Sequence, residues 1–145
     1  MKKILVGIDG SPRQEGVVAA AAALAHKTGA KLVFFRAVHL PSELPPDAYQ
    51  LPPSEVTNLL RRRAEAAAQE AAARVTPELV SGAHVEIGAP WQAVCRAAVE
   101  HDVDMIVIGS HGYDTLDRVI GTTAAKIVNH ADRAVLVVRA PERIG

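Results

Sequence analysis

Five short apolar runs, separated by stretches of helical character, set the pattern of this chain. Lys3-Ile4-Leu5-Val6-Gly7-Ile8-Asp9 reads as a buried strand, and Lys31 to Val38 as a second. Val80 to Ile87 alternates, with Val85 and Ile87 on one side and His84 and Glu86 on the other, which predicts an edge strand or one wet face. Met105, Ile106, Val107 and Ile108 show no alternation, as suits a central parallel strand covered on both faces, and Gly109 ends it by admitting backbone angles other residues resist. Ala134 to Val138 is the last run.

Between these runs the helix signals are local. Ser11 as N-cap, Pro12 at the first helical position and Gln14 predict a capping box, the alanines from Val17 to Leu24 a slim helix, and Thr28-Gly29 its stop. His39 to Pro53 carries five prolines and no period, so it is expected as a loop, a lid or a partner surface. Ser54 is the expected cap of a helix running to Arg74, in which Arg61-Arg62-Arg63 reads as a solvated face. Gly88-Ala89-Pro90 opens a helix through Glu100 with Trp91, Val94, Cys95, Ala98 and Val99 near helical spacing, and Ala124 to His130 is helical again. Helices between consecutive strands imply one parallel sheet wrapped on both faces, a doubly wound, Rossmann-like α/β domain of strand order 3-2-1-4-5. Its switch point falls between strands one and four, so Asp9 and Gly109 are expected to face each other across the crevice.

Composition narrows the picture. The 145 residues suffice for one domain, expected to span 1–145, and with 49% hydrophobic but 3% aromatic residues the core must be filled by Ala, Val, Leu and Ile. Sixteen basic and sixteen acidic residues cancel, so nothing advertises a nucleic-acid or membrane partner. The single cysteine, Cys95, lies among apolar neighbours and is expected as a buried thiol. No signal peptide or spanning run is recognised, which makes the cytoplasm the expected location.

The candidate chemistry gathers in Asp104 to Thr123. A buried strand feeds Gly109 and Gly112, and Gly121-Thr122-Thr123 opens a helix whose free N–H groups and dipole favour an anion. Other nucleotide signatures are missing: there is no G-x-x-x-x-G-K-[ST] and no G-x-G-x-x-G after the first strand. A response-regulator receiver would need an acidic residue ending the third strand, where this chain has Ile87-Gly88. The six histidines are scattered without metal-ligand spacing, His111 alone falling in the candidate loop, and no catalytic residue is expected.

Gly109-Ser110-His111-Gly112, eight residues, then Gly121-Thr122 resembles the signature of the ATP-binding branch of the universal stress protein family, G-x2-G-x9-G-[S/T], with one residue fewer before the last glycine. The resemblance extends from VGIDGS to AVLVVR and implies the same strand order. It also implies that Asp9 contacts the nucleotide, that Gly10 and Ser11 flank the base, that Val38 contacts adenine and that Ile108 lies beneath the ribose. Gly109, Gly112, Gly121, Thr122 and Thr123 match its ribose and phosphate positions, with His111 in the same loop. Asp9 read from the residues alone is equally a turn cap, and Val38 and Ile108 equally core. The expected ligand is ATP, with Mg2+ or Mn2+, in a sensor or regulatory module. The expected assembly is a homodimer through Ala134 to Val138. A non-nucleotide protein acting through partners and a slow ATPase are the other two readings.

Overall fold

The structure is a computed structural model and describes residues 1–39, 51–110 and 120–139. Five strands, β1 (Lys3–Gly7), β2 (Lys31–Val38), β3 (Val80–Ile87), β4 (Met105–Gly109) and β5 (Ala134–Val138), form one sheet of order β3-β2-β1-β4-β5. Every pairing is parallel, with Leu5 opposite Val33 on one side and Ile106 on the other. The helices are α1 (Gln14–Thr28), α2 (Pro53–Ala73), α3 (Pro90–Glu100) and α4 (Thr122–His130), with a short 3-10 turn at Pro77–Leu79.

Strand residues alternate between two cores. Ile4, Val6, Ile8, Leu32, Phe34 and Val107 pack against α1 and α2, while Leu5, Val33, Phe35, Ile106 and Ile108 pack against α3 and α4. This double burial is why the central runs show no polar period. Small helix faces make it possible: Ala21, Ala25, Ala68 and Ala71 line one side, and Ala93, Ala97, Ala98 and Ala124 the other. β3 is an edge strand with His84 exposed, as its alternation predicts.

Several local expectations are corrected. α1 begins at Gln14 with Arg13 at its N-cap, because the Asp9 carboxylate accepts the Ser11 N–H (2.8 Å) and draws Ser11 into the preceding turn. The Gln14 side chain still reaches back, accepting the Gly10 N–H at 2.8 Å. α2 starts at Pro53 with Pro52, not Ser54, at the N-cap; a proline in the first helical position lacks only an N–H that would have no intrahelical partner. Val99 is 56% exposed, turned away from the face that buries Ala93, Val94, Ala97 and Ala98. α4 starts two residues before Ala124. Among the described residues the left-handed glycines are Gly10 and Gly29 (φ 77 and 76°); Gly109 closes β4 opposite Val138 in the sheet.

Two charged clamps lock the amino end of the sheet. Asp104 Oδ2 accepts the main-chain N–H groups of Lys2 (2.6 Å) and Lys3 (3.0 Å), which hold its carboxyl below the usual range. Arg133 donates to the carbonyls of Ala98 (2.8 Å) and Val103 (2.9 Å) while its Nε pairs with Asp132 (2.7 Å). The Arg133 side chain is only 17% exposed, so it ties the end of α3 to the approaches of β4 and β5. Trp91 packs on His130 with ring centroids 4.4 Å apart and joins α3 to α4. Cys95 is half-buried, and burial, with Asp132 second, raises its thiol pKa, so it is held as the unreactive thiol.

Candidate functional site

At the carboxyl end of the sheet the chain leaves β1 and β4 toward opposite faces, β1 to α1 and β4 to α4. Parallel α/β sheets open a crevice at such a switch point. Gly7 is the first requirement there. A Cβ on it would stand 2.8 Å from Ile108 Cγ2, so the missing side chain lets Ile108 lie across the end of β1. Past it, Ile8 keeps the register by donating its N–H to the Phe35 carbonyl (2.9 Å), and the chain turns through Asp9, Gly10 and the buried Ser11.

The turn satisfies its own backbone. Asp9 Oδ1 takes the Ser11 N–H, Gln14 Oε1 the Gly10 N–H, and Ser11 Oγ the Arg13 N–H at 3.3 Å. Gly10 adopts the left-handed conformation that L side chains resist. Asp9 therefore serves as a turn cap through one oxygen, and the residue is exposed.

Across the crevice, Ser110 is 2% exposed and anchors the end of β4. Its N–H donates to the Val138 carbonyl (3.0 Å), and its carbonyl accepts the Gly121 N–H at 2.7 Å. That second bond brings the start of α4 back against the end of β4. Gly121 is the N-cap residue, with extended angles (φ −63°, ψ 161°), and its carbonyl accepts the Ala125 N–H. A glycine cap brings no side-chain oxygen to the first turn, so the N–H groups of Thr122, Thr123 and Ala124, which have no intrahelical acceptor, are available to an anion. Thr122 and Thr123 are exposed beside them.

The structure thus gathers Asp9, Gly10, Ser11, Ile108, Gly109, Gly121, Thr122 and Thr123 at one end of neighbouring strands. His111 and Gly112 lie outside the described residues. Val38 ends β2, but by strand alternation its side chain points to the α1 and α2 face; half-buried Ala37 shares the face of Ile108 and α4. Sequence reading passed over two residues. Ser110 was hidden as a spacer within the glycine motif, although its position directly after a fully apolar strand was the available signal. Arg36 was hidden inside β2, where a lone cation interrupting LVFFRAV was the cue; its guanidinium lies against Gly10.

Two concavities are lined by described residues. One, about 350 Å³, is a groove between α1 and α2 that includes Val18, Ala22, His26, Arg74 and Val75. The other, about 450 Å³, lies between α2 and the β3 edge and includes Arg62, Gln69 and His84. Neither includes a residue of the glycine motif or Asp9, Gly10 or Ser11, and the first reaches Gln14 at the start of α1. Among the described residues no helix is long and apolar enough to cross a membrane, and no three His, Cys, Asp or Glu side chains cluster as metal ligands.

Strand order, helices on both faces and a glycine-lined switch point define a doubly wound α/β domain of the kind that presents a ligand crevice between its first and fourth strands. The universal stress protein family model matches residues 1–139, and the chain belongs to that family. It is 32% identical over 141 residues, covering 94% of this chain and 95% of the relative, to universal stress protein A homolog 1 of Coxiella burnetii. The solved structure of hypothetical protein MJ0577 superposes with a TM-score of 0.81 at 19% identity, over 98% of each chain. A universal stress protein in complex with cAMP superposes at 0.65 with 24% identity over 95% of this chain and 96% of that one. For the universal stress protein of Archaeoglobus fulgidus in complex with dAMP the values are 0.60, 20%, 95% and 98%. These structures share the fold.

Proposed function

We propose that this chain binds an adenine nucleotide, ATP, in the crevice between β1 and β4 and acts as a cytoplasmic stress-response sensor or regulatory module. The observation that carries the reading is the 2.7 Å bond from the Gly121 N–H to the Ser110 carbonyl. It sets the uncapped amino end of α4 beside the end of β4, and Asp9 stands past the neighbouring strand. Phosphates lie on the free N–H groups of α4, aided by the hydroxyls of Thr122 and Thr123, and Mg2+ or Mn2+ travels with the triphosphate. Ile108 forms the floor under the sugar, and Asp9 accepts from the base or ribose. Structural relatives solved with cAMP and dAMP support the choice of an adenine ligand.

Two measurements test it. Denaturing the purified protein and chromatographing what is released should yield ATP or ADP, or ATP should bind stoichiometrically after soaking. ATP should also raise the melting temperature of the parent but not of the Gly121→Val, Thr122→Ala double mutant, because a ligand stabilises only the state it binds. Equal shifts in both proteins would remove the phosphate site from α4.

A second reading concerns assembly. β5 is a sheet edge, and Leu136 on it is 38% exposed. An apolar edge strand invites pairing, so we propose a homodimer formed by β5 and its copy about a two-fold axis.

A further inference from the structure

Beside the Asp9 turn stands a cation that, among the described residues, neither capping nor ion pairing uses. Arg36 stands on β2 directly above Phe34, on the face of α1, and is half-buried. Its Nη2, Nη1 and Cζ atoms lie 3.0, 3.1 and 3.2 Å from the point where a Cβ on Gly10 would stand. Three nearly equal distances mean that the flat side of the guanidinium covers Gly10, an approach open only because Gly10 has no side chain. Arg74, Arg96 and Arg133 each pair with a carboxylate. Among the described residues no hydrogen bond or ion pair engages the guanidinium of Arg36.

A guanidinium fixed by stacking keeps its N–H donors on the rim of the plane, in a fork that matches an oxyanion. Gly10 follows β1, and the Gly121 N–H is fastened to Ser110 just past β4, the next strand. The cation, on the α1 face, and the amino end of α4, on the opposite face, therefore both stand at the carboxyl end of neighbouring strands. The crevice has an anion-favouring point on each side, with Asp9 between them as an acceptor.

Resting on the nucleotide reading above, we propose that Arg36 receives a second phosphate, carried on the ribose of a nucleotide whose 5′ phosphate lies at α4. The ligand class is then a nucleotide phosphorylated on both sides of its sugar, and Arg36 is the residue that selects it over the 5′ nucleotide alone.

Isothermal titration of the full chain at low salt with ATP, AMP, adenosine 3′,5′-bisphosphate and adenosine 2′,5′-bisphosphate tests this. One bisphosphate should bind the parent about tenfold more tightly than AMP, the size expected of one charge-assisted pair. In Arg36→Gln, which keeps a planar amide without the charge, that ratio should fall to about one, and in Arg36→Lys it should be intermediate. A ratio of one in the parent, or an unchanged ratio in Arg36→Gln, overturns the proposal while leaving the ATP reading intact. Failure of the parent to bind any of the four overturns both. If melting curves show Arg36→Gln unfolded, the parent decides alone: its preference should shrink as NaCl is added, and a salt-independent ratio refutes the second phosphate contact.

Discussion

Gly7 offers the sharpest test of how the crevice floor is built. In an extended strand, replacing glycine by alanine ordinarily stabilises a protein by about 0.4–1 kcal/mol, because the unfolded chain loses freedom. Here the new methyl would stand 2.8 Å from Ile108 Cγ2, closer than real Cβ contacts allow, and 3.7 Å from the Val107 carbonyl oxygen. Ile108 is 5% exposed and β-branched, so its Cγ2 cannot swing aside without leaving its rotamer or moving β4. Overpacking of this kind costs about 1–3 kcal/mol, which outweighs the entropic gain and leaves Gly7→Ala less stable by roughly 1–2 kcal/mol. For a domain of this size that is a fall of roughly 2–8 °C in Tm, read by circular dichroism or calorimetry. Ile108→Ala alone should cost about 2–4 kcal/mol by opening a cavity. The double mutant should be less destabilised than the sum, since the introduced methyl enters the space that Cγ2 vacates. An unchanged or raised Tm for Gly7→Ala, or strict additivity in the cycle, would show that the two side chains do not compete for that space.

His84 and His101 stack with ring centroids 4.4 Å apart, and burial first and His101 second lower the His84 pKa from 6.5. The unfolded chain then binds more protons than the folded one near pH 6, so stability present at neutral pH is lost as pH falls through 6.5. Melting temperature should drop more in the parent than in His84→Gln between about pH 7 and about pH 5.5, and parallel curves would contradict the assignment. The depressed carboxyls of Asp104 and Asp132 act only below their ordinary 3.8 and leave that window undisturbed. Arg133→Met should lose roughly 2 kcal/mol in urea unfolding, because the carbonyls of Ala98 and Val103 lose a charged donor; a loss under about 0.5 kcal/mol would mean water replaces it at no cost. Light scattering at micromolar concentration should give twice the chain mass for the parent and the single mass for Leu136→Asp, and a monomeric parent would defeat the β5 interface.

What the sequence disclosed depends on the range of the interaction that fixes each feature. β2, β3, α3 and β5 begin and end at the predicted residues, because apolar runs bounded by glycine, proline or polar clusters are local statements about burial. Strand order followed from handedness rules that act on any alternating α/β chain. Helix starts were less legible: Ser11 and Ser54 have cap chemistry, yet Asp9 competes for the Ser11 N–H and Pro53 can itself open a helix. Such contests between neighbouring side chains leave no period to count. The side of the sheet that Val38 faces could not be separated from that of Ile108 by position at a strand end, since one residue of alternation exchanges the faces. Arg36 was out of reach for another reason. Its neighbour Gly10 is 26 residues away in the chain, and only the pairing of β1 with β2 brings them together.

The two ends of the sheet are tied in different ways. At the amino end two strand approaches are tied by ionised side chains with several acceptors or donors satisfied, Asp104 to the start of β1 and Arg133 to the end of α3 and the approach to β4. At the carboxyl end the ties are main-chain bonds to residues beside glycines: Ile8 to Phe35, Ser110 to Val138 and Gly121 to Ser110. Main-chain bonds hold the strand ends in place without filling the space above them, and the glycines keep that space free of side chains. A chain built only for stability would place a capping serine or threonine at Gly121, gaining a cap bond worth about 1 kcal/mol. Forgoing it beside the end of β4 is the stability cost expected of a helix start kept open for a ligand. A Gly121→Ser variant separates the two uses of that position: it should raise Tm in the absence of nucleotide and weaken ATP binding, because the new hydroxyl occupies the N–H groups that the phosphates would use. A Tm that rises with ATP affinity unchanged would place the phosphates elsewhere than on the first turn of α4.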